Sequence, residues 1–332
     1  MTAPIETTGS AAQAQPEAVL EGAGGKQIEG RSLGRIAWTR FKRDKVAMVG
    51  GVVVILLVLV AVLSKPIQSV FGLDPNAFNQ DLVDPVLLAP KGSFGGISWD
   101  HPLGVEPQTG RDILARIIEG SWVSLVVAAG STLLSVVIGV VMGVVAGFYG
   151  GWVDSAISRM MDTFLAFPLL LFAISISASL QGSVFGLEGL SLRIAVLIFV
   201  IGFFSWPYIG RIVRAQTLSL REREFVEAAR SLGARGPFIL FRELLPNLIA
   251  PILVYSTLLI PTNILFEASL SFLGVGIAPP QSSWGGMLST AVDLYQVDPM
   301  FMIIPGMAIF VTVLAFNLLG DGLRDALDPR GK

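Results

Sequence analysis

Long apolar runs alternate with short charged segments along this chain. Residues 46–63 carry no charge and are rich in Val and Leu, and comparable runs occupy about 121–148, 160–181, 194–213, 247–273 and 301–319. Each is long enough to cross the hydrocarbon core of a bilayer as a helix, so the pattern predicts an all-α integral membrane protein of six spans. In the second run Gly139, Gly143 and Gly147 recur every four residues. They form either a small-residue seam for close helix packing or glycines merely tolerated in an apolar helix. Pro207, Pro251, Pro261 and Pro305 fall inside runs, which helices bear where neighbours satisfy the freed carbonyls.

The polar segments differ in character. Residues 1–30, rich in Ala, Gly, Gln, Glu and Thr without an apolar period, are expected to form a disordered cytoplasmic tail. No apolar core of a cleavable signal appears in the first forty residues. In 31–45, Leu33, Ile36, Ala37 and Phe41 share a helical face, basic residues surround it, and Trp38 suits the headgroup boundary. This predicts an in-plane elbow helix, a plain basic flank being the alternative. Residues 64–110, broken by six prolines, read as an ordered extracytoplasmic loop within a 64–120 connection, too short for much core of its own. Residues 121–320, which carry the second to sixth runs, are then expected to form the core membrane unit. Beyond it, 321–332 read as a cytoplasmic tail whose Asp321, Arg324, Asp325, Asp328 and Arg330 flank Leu323 and Leu327. That end is either solvated or a contact for another subunit.

The most informative segment is 221–247, REREFVEAARSLGARGPFILFRELLPN, wedged between two spans. Five arginines between spans place it on the cytoplasmic side. Phe225, Val226, Ala228, Ala229 and Leu232 give a short helix an apolar face, and Gly233 stands where the helix should stop. Such a helix at a membrane surface is a docking device. Eighteen of the 23 Lys and Arg fall in segments that six spans place inside with both termini, and Lys65, Lys91, Arg111, Arg116 and Arg193 fall outside, which supports that topology.

Composition removes most chemistry. Mean hydropathy is +0.70 and only 14% of the 332 residues are charged, which excludes a soluble domain. The absence of cysteine excludes disulfides, zinc–thiolate sites and thiol nucleophiles. The single histidine, His101, fits a loop hydrogen bond better than a metal site. No GxxxxGK[ST] segment is present, so any ATP used is bound by another subunit. Glu267 is the one carboxylate well inside an apolar run and therefore a functional candidate. Asn263 or the backbone of the WGG loop could instead satisfy it structurally. Gly274, Gly276, Pro279, Pro280, Gly285 and Gly286 make 274–288 a tightly turned outer loop, with Trp284 apt for packing or the interface.

Glu227-Ala228-Ala229, then Gly233, then Leu245-Pro246 resemble the EAA loop of ABC importer permeases, with Glu243 at a position usually apolar there. HPLGVEPQTGRDILARIIEGSWVSL (101–125), EASLSFLGVGIAPPQSSWGGML (267–288) and FNLLGDGLRDALDPR (316–330) resemble segments of dipeptide/oligopeptide permeases, C-type subunit. Val105-Glu106 replace the usual Thr-Asp, and one extra residue precedes Gly110. The resemblance covers roughly 31–330. It implies a bacterial cytoplasmic-membrane permease that does no covalent chemistry and forms half of a translocation pathway by alternating access. The implied partners are a second homologous permease, two ABC ATPases carrying ATP and Mg, an extracytoplasmic substrate-binding protein and membrane lipid, with no nucleic acid. Phe225, Glu227, Ala228, Ala229, Leu232, Gly233 and Pro246 would couple to the ATPase, Glu227 setting the loop geometry, while Glu267 and Trp284 would lie near an outer gate. The expected substrates are dipeptides or oligopeptides, with nickel or glutathione as alternatives within the family. An ion-driven secondary transporter would need midplane carboxylates and an inverted repeat, and neither is evident. An intramembrane enzyme would need a nucleophile–base or metal pair, and a channel a filter motif.

Overall fold

The computed structural model describes residues 33–179, 186–277 and 279–327, and no β-strand occurs among them. The expected tail 1–30, Arg31, Asp328 and Arg330 lie outside the described residues, as do the side chains of Leu33 and Ile36. A short helix, α1 (Leu33–Phe41), leads into α2 (Lys45–Val62). The Asp44 carboxylate starts α2 by accepting from the N–H groups of Val46 and Ala47 at 2.9 and 3.1 Å. After α3 (Ser64–Phe71), an irregular but ordered segment leads to α4 (Ile113–Tyr149), capped by Asp112, which accepts from Ala115 N–H at 2.7 Å. With 37 residues α4 is about 55 Å long, well beyond the membrane core.

Next come α5 (Gly151–Ala166), α6 (Leu169–Ser179) and α7 (Gly189–Arg221). The short α8 (Glu224–Ser231) and α9 (Gly236–Phe238) precede a π-helical stretch, Ile239–Leu244, that runs into α10 (Leu245–Phe272). The π stretch has a local cause. In a regular helix the Pro246 ring would strike the carbonyl of Arg242, and the wider turn makes room for it. Finally α11 (Trp284–Leu294) and α12 (Pro299–Leu327) complete the bundle.

Among the described residues five helices are long and apolar enough to cross a membrane: α2, α4, α7, the α9–α10 unit and α12. The third predicted span, 160–181, is corrected. Its place is taken by α5 and α6, which are bent by 76° and make a sixth crossing only as a broken pair. Pro168 is the reason, because the residue before proline is driven out of the helical region, and Phe167 sits at φ −80°, ψ 128°. The stretch 151–159 between the second and third expected spans is the start of α5, and 321–327 continue α12 rather than forming a separate tail.

The glycine seam is real. Helices α4 and α7 run parallel, and a Cβ on Gly139 would stand 2.8 Å from Trp206 O, one on Gly143 2.6 Å from Gly210 O, and one on Gly147 2.6 Å from Thr217 Cβ. Ser135 adds a cross-helix hydrogen bond to Gly202 O at 2.8 Å. On the far side α2 meets α12 just as closely, Gly322 lying against Ala47 and Gly50 against Leu318. Phe41 of α1 is buried with Ala47 and Ala326, while Trp38 stays exposed.

Candidate functional site

One end of the bundle gathers the C-terminal ends of α4 and α7 with α5, α8 and the start of α10. Arg214 of α7 pairs with Asp154 of α5 through both carboxylate oxygens, and Arg211 with Asp162. Arg221 donates to Gly147 O at 2.9 Å and pairs with Glu222. These contacts hold the platform on which α8 rests. Helix α8 closes with a doubled C-terminal bond: Gly233 N–H reaches Arg230 O at 2.9 Å, and Ala234 N–H reaches Ala229 O at 3.0 Å. That geometry puts Gly233 at φ +83°, the left-handed region open to glycine at little cost.

The apolar residues of α8 divide between two directions. Val226 is fully buried with Ile239 and Leu244, and Phe148, Leu220, Ala229 and Ala234 pack around them. Phe225 and Leu232, one above the other seven residues apart, point outward; Leu232 is 88% exposed. Phe238 and Phe241, in the segment that follows α8, are exposed as well, with the Arg242 guanidinium over the Phe238 ring at 5.8 Å. Ala228 and Pro246 are exposed too. Glu227 is exposed, and among the described residues its carboxylate holds no hydrogen bond or ion pair. The sequence puts Phe225, Val226, Ala228, Ala229 and Leu232 on one apolar face, whereas the structure turns Val226 inward as the anchor and leaves Phe225, Leu232, Phe238 and Phe241 exposed. The acids at 154 and 162 facing the arginines at 211 and 214 are the signal that could have tied α5 to this end.

Glu267 and Trp284 lie toward the other end, and the structure brings them together inside the chain. Glu267 is fully buried, accepting from the hydroxyls of Ser124 and Ser271 at 2.8 Å each, with Ser283 as a further partner. Neither expected partner serves it: Asn263 donates instead to Thr132 at 2.9 Å, and the WGG backbone turns elsewhere. Trp284 is 1% exposed and donates its indole N–H to Ile117 O at 3.1 Å. Gly285 is pressed onto Ala268, where a Cβ would fall 2.4 Å from the carbonyl oxygen. Both side chains knit α4, α10 and α11 together, and neither faces open space.

At that same end the 64–112 segment is pinned by polar contacts. His101 Nδ1 lies 2.6 Å from Asp112 Oδ2, the loop role its isolation suggests. Buried Glu106 accepts from Thr109 at 2.6 Å and pairs with Arg111 at 3.0 Å. Asp84 holds a turn by accepting from the N–H groups of Leu87 and Val86, which lowers its pKa. Asp298 accepts from Met300 N–H at 3.0 Å, and burial pushes its pKa up. Among the described residues no group of His, Asp or Glu could hold a metal ion.

Several apolar helices of spanning length packed into one bundle are the architecture of a multi-pass membrane protein. Residues 139–332 match the family model described as binding-protein-dependent transport system inner membrane component. Residues 32–90 match that of the N-terminal TM domain of oligopeptide transport permease C. The chain belongs to this family: it is an ABC importer inner-membrane permease of the peptide/oligopeptide type, a multi-pass bacterial inner-membrane protein. It is 41% identical over 295 residues to the glutathione transport system permease protein GsiD of Escherichia coli O6:K15:H31 (strain 536 / UPEC), covering 89% of this chain and 90% of that one. To the protein of the same name from Shigella flexneri serotype 5b (strain 8401) it is 42% identical with the same coverage. Among solved structures, a chain of the MetNI methionine ABC transporter in inward-facing form shares the fold, with TM-score 0.50, 21% identity, and coverage of 65% of this chain and 98% of that one.

Proposed function

We propose that this chain forms half of the translocation route of an ATP-driven importer for small peptides, glutathione included, and that α8 is its coupling helix. The observation that carries the coupling role is the division of α8. Val226 locks the helix to its own bundle, while Phe225 and Leu232 remain outside as a rigid apolar contact for an ATPase groove. A helix so braced transmits displacement instead of absorbing it. The arginines around α8 support a cytoplasmic position for this end, and the six-span reading would bring both termini to the same side. The 64–112 segment then faces outward, toward a substrate-binding protein.

ATP and Mg belong to two partner ATPases, and a second permease completes the route. ATP binding draws the ATPases together, α8 moves with its ATPase, and the paired permeases open outward; hydrolysis returns them. The nucleotide drives this cycle only through its different affinity for the two states. The peptide reading draws support from the oligopeptide-permease match and from the glutathione permeases this chain resembles. The test is uptake of labelled glutathione and tri-alanine into proteoliposomes holding the whole assembly. Uptake is expected to need ATP and the binding protein. Uptake driven by an ion gradient alone, or confined to nickel, would contradict the proposal.

A further inference from the structure

Arg221 stands where four helices meet. It is the last residue of α7, and only Glu222 and Arg223 separate it from α8. With Arg214 and Thr217 it shares one face of α7, because residues three and four apart stack along a helix. That face lies on the corner between α4 and α5. Thr217 packs on Gly147, Arg214 holds Asp154 of α5 through both carboxylate oxygens, and the Arg221 guanidinium reaches the end of α4.

The end of α4 is shaped to receive it. The helix makes its last regular hydrogen bond from Gly150 N–H to Ala146 O at 3.1 Å, so the Gly147 carbonyl has no helical donor. Arg221 Nη1 supplies one at 2.9 Å, a cation at the negative end of a helix dipole. Gly150 leaves it room: at φ +66°, a Cβ there would stand 2.9 Å from Nη1. Asp154, in the first turn of α5, is close enough to attract the same guanidinium. Arg221 Nε meanwhile pairs with Glu222, the first residue of the link to α8, at 2.9 Å. One side chain thus fastens the α7–α8 link to the corner where α4 ends.

The other hold on α8, the burial of Val226 against residues such as Phe148, is apolar, and apolar attraction has no direction. A charge-assisted hydrogen bond to a single carbonyl does have one. We propose that Arg221 is a positioning residue for transport, locking the α7–α8 link onto the end of α4 so that displacement of α8 moves α4 and α7 as one body. The close packing of those two helices at Gly139, Gly143 and Gly147 then carries the motion along both. The inference rests on the coupling role of α8 proposed above.

The test measures ATP hydrolysed per tri-alanine imported, in proteoliposomes holding the complete assembly. Arg221→Ala is expected to accumulate, keep its ATPases and continue hydrolysing ATP, while the ratio rises several-fold. Arg221→Lys, which retains the charge and a donor, should be clearly better coupled than Arg221→Ala. Arg159→Ala, on the exposed face of α5, removes an equal charge and should leave the ratio as in the wild type. An unchanged ratio in Arg221→Ala, an equal rise in Arg159→Ala, or no gain from Arg221→Lys overturns the proposal. Loss of the ATPases from Arg221→Ala also overturns it, making the residue part of the docking surface. Should Arg221→Ala not accumulate, Arg221→Gln is read in its place, and failure of both makes the contact one of folding and refutes the positioning role. A wild-type assembly whose uptake does not depend on ATP refutes the coupling reading of α8 instead.

Discussion

Glu267 illustrates how one residue can be recognised in a sequence while its role is not. A carboxylate within an apolar run is visible at once, but its partners are hydroxyls on three separate elements, Ser124 lying 143 positions away. Nothing in the local pattern distinguishes those serines from others in the spans. Glu267→Ala would leave Ser124 and Ser271 without an acceptor, costing about 1–3 kcal/mol for each buried hydroxyl left unpaired. Thermal unfolding in detergent should show a clear loss for Glu267→Ala and a much smaller one for Glu267→Gln, which keeps the volume and an acceptor. Gly233 was more legible, because a glycine after a short amphipathic helix has few other uses. Gly233→Val would force a β-branched residue to φ +83°, a penalty of roughly 1–2 kcal/mol or more. Since a Cβ there meets no atom within 4 Å, the expected loss is in transport, with membrane levels retained.

Elements were legible in proportion to how far their pattern extends. The runs that became α2, α4, α7, α10 and α12 are long and uniform, and each forms a helix over its expected core. Helices α4, α7 and α12 run well beyond their apolar runs, α4 starting at the Asp112 cap where apolar character has already faded. The α5–α6 pair went unread for the opposite reason: average hydropathy over 160–181 hides a single proline that acts on its neighbour's backbone. The Gly139–Gly143–Gly147 spacing left two readings open, and packing against α7 decides for the seam. Gly143→Leu should therefore abolish accumulation in the membrane, since its first side-chain atom already lies 2.6 Å from Gly210 O. Gly51→Ala, whose nearest neighbour is a flexible Leu319 methyl at 3.6 Å, should accumulate normally. Immunoblots of membrane fractions distinguish the two.

At the scale of the whole molecule, the fold is a rigid set of helices with one small element, α8, braced at its end. The patch was legible in sequence through its charge and its resemblance to the EAA loop. The division of labour within it was not, because whether an apolar side chain faces its own bundle or a partner depends on Phe148, distant in the chain, and on the fold-back that brings Ile239 and Leu244 against α8. Val226→Asp would bury a charge against those three residues and should lower protein levels. Leu232→Asp alters only an exposed surface, and levels should hold. The most direct test is affinity purification from gently solubilised membranes, comparing the tagged wild-type chain with Leu232→Asp. The wild-type chain should bring down a second permease and P-loop ATPases, while Leu232→Asp should keep the permease and lose the ATPases. Recovery of the wild-type chain alone, or ATPases retained equally by both proteins, would contradict the assignment of α8 as the element that joins this permease to its motor.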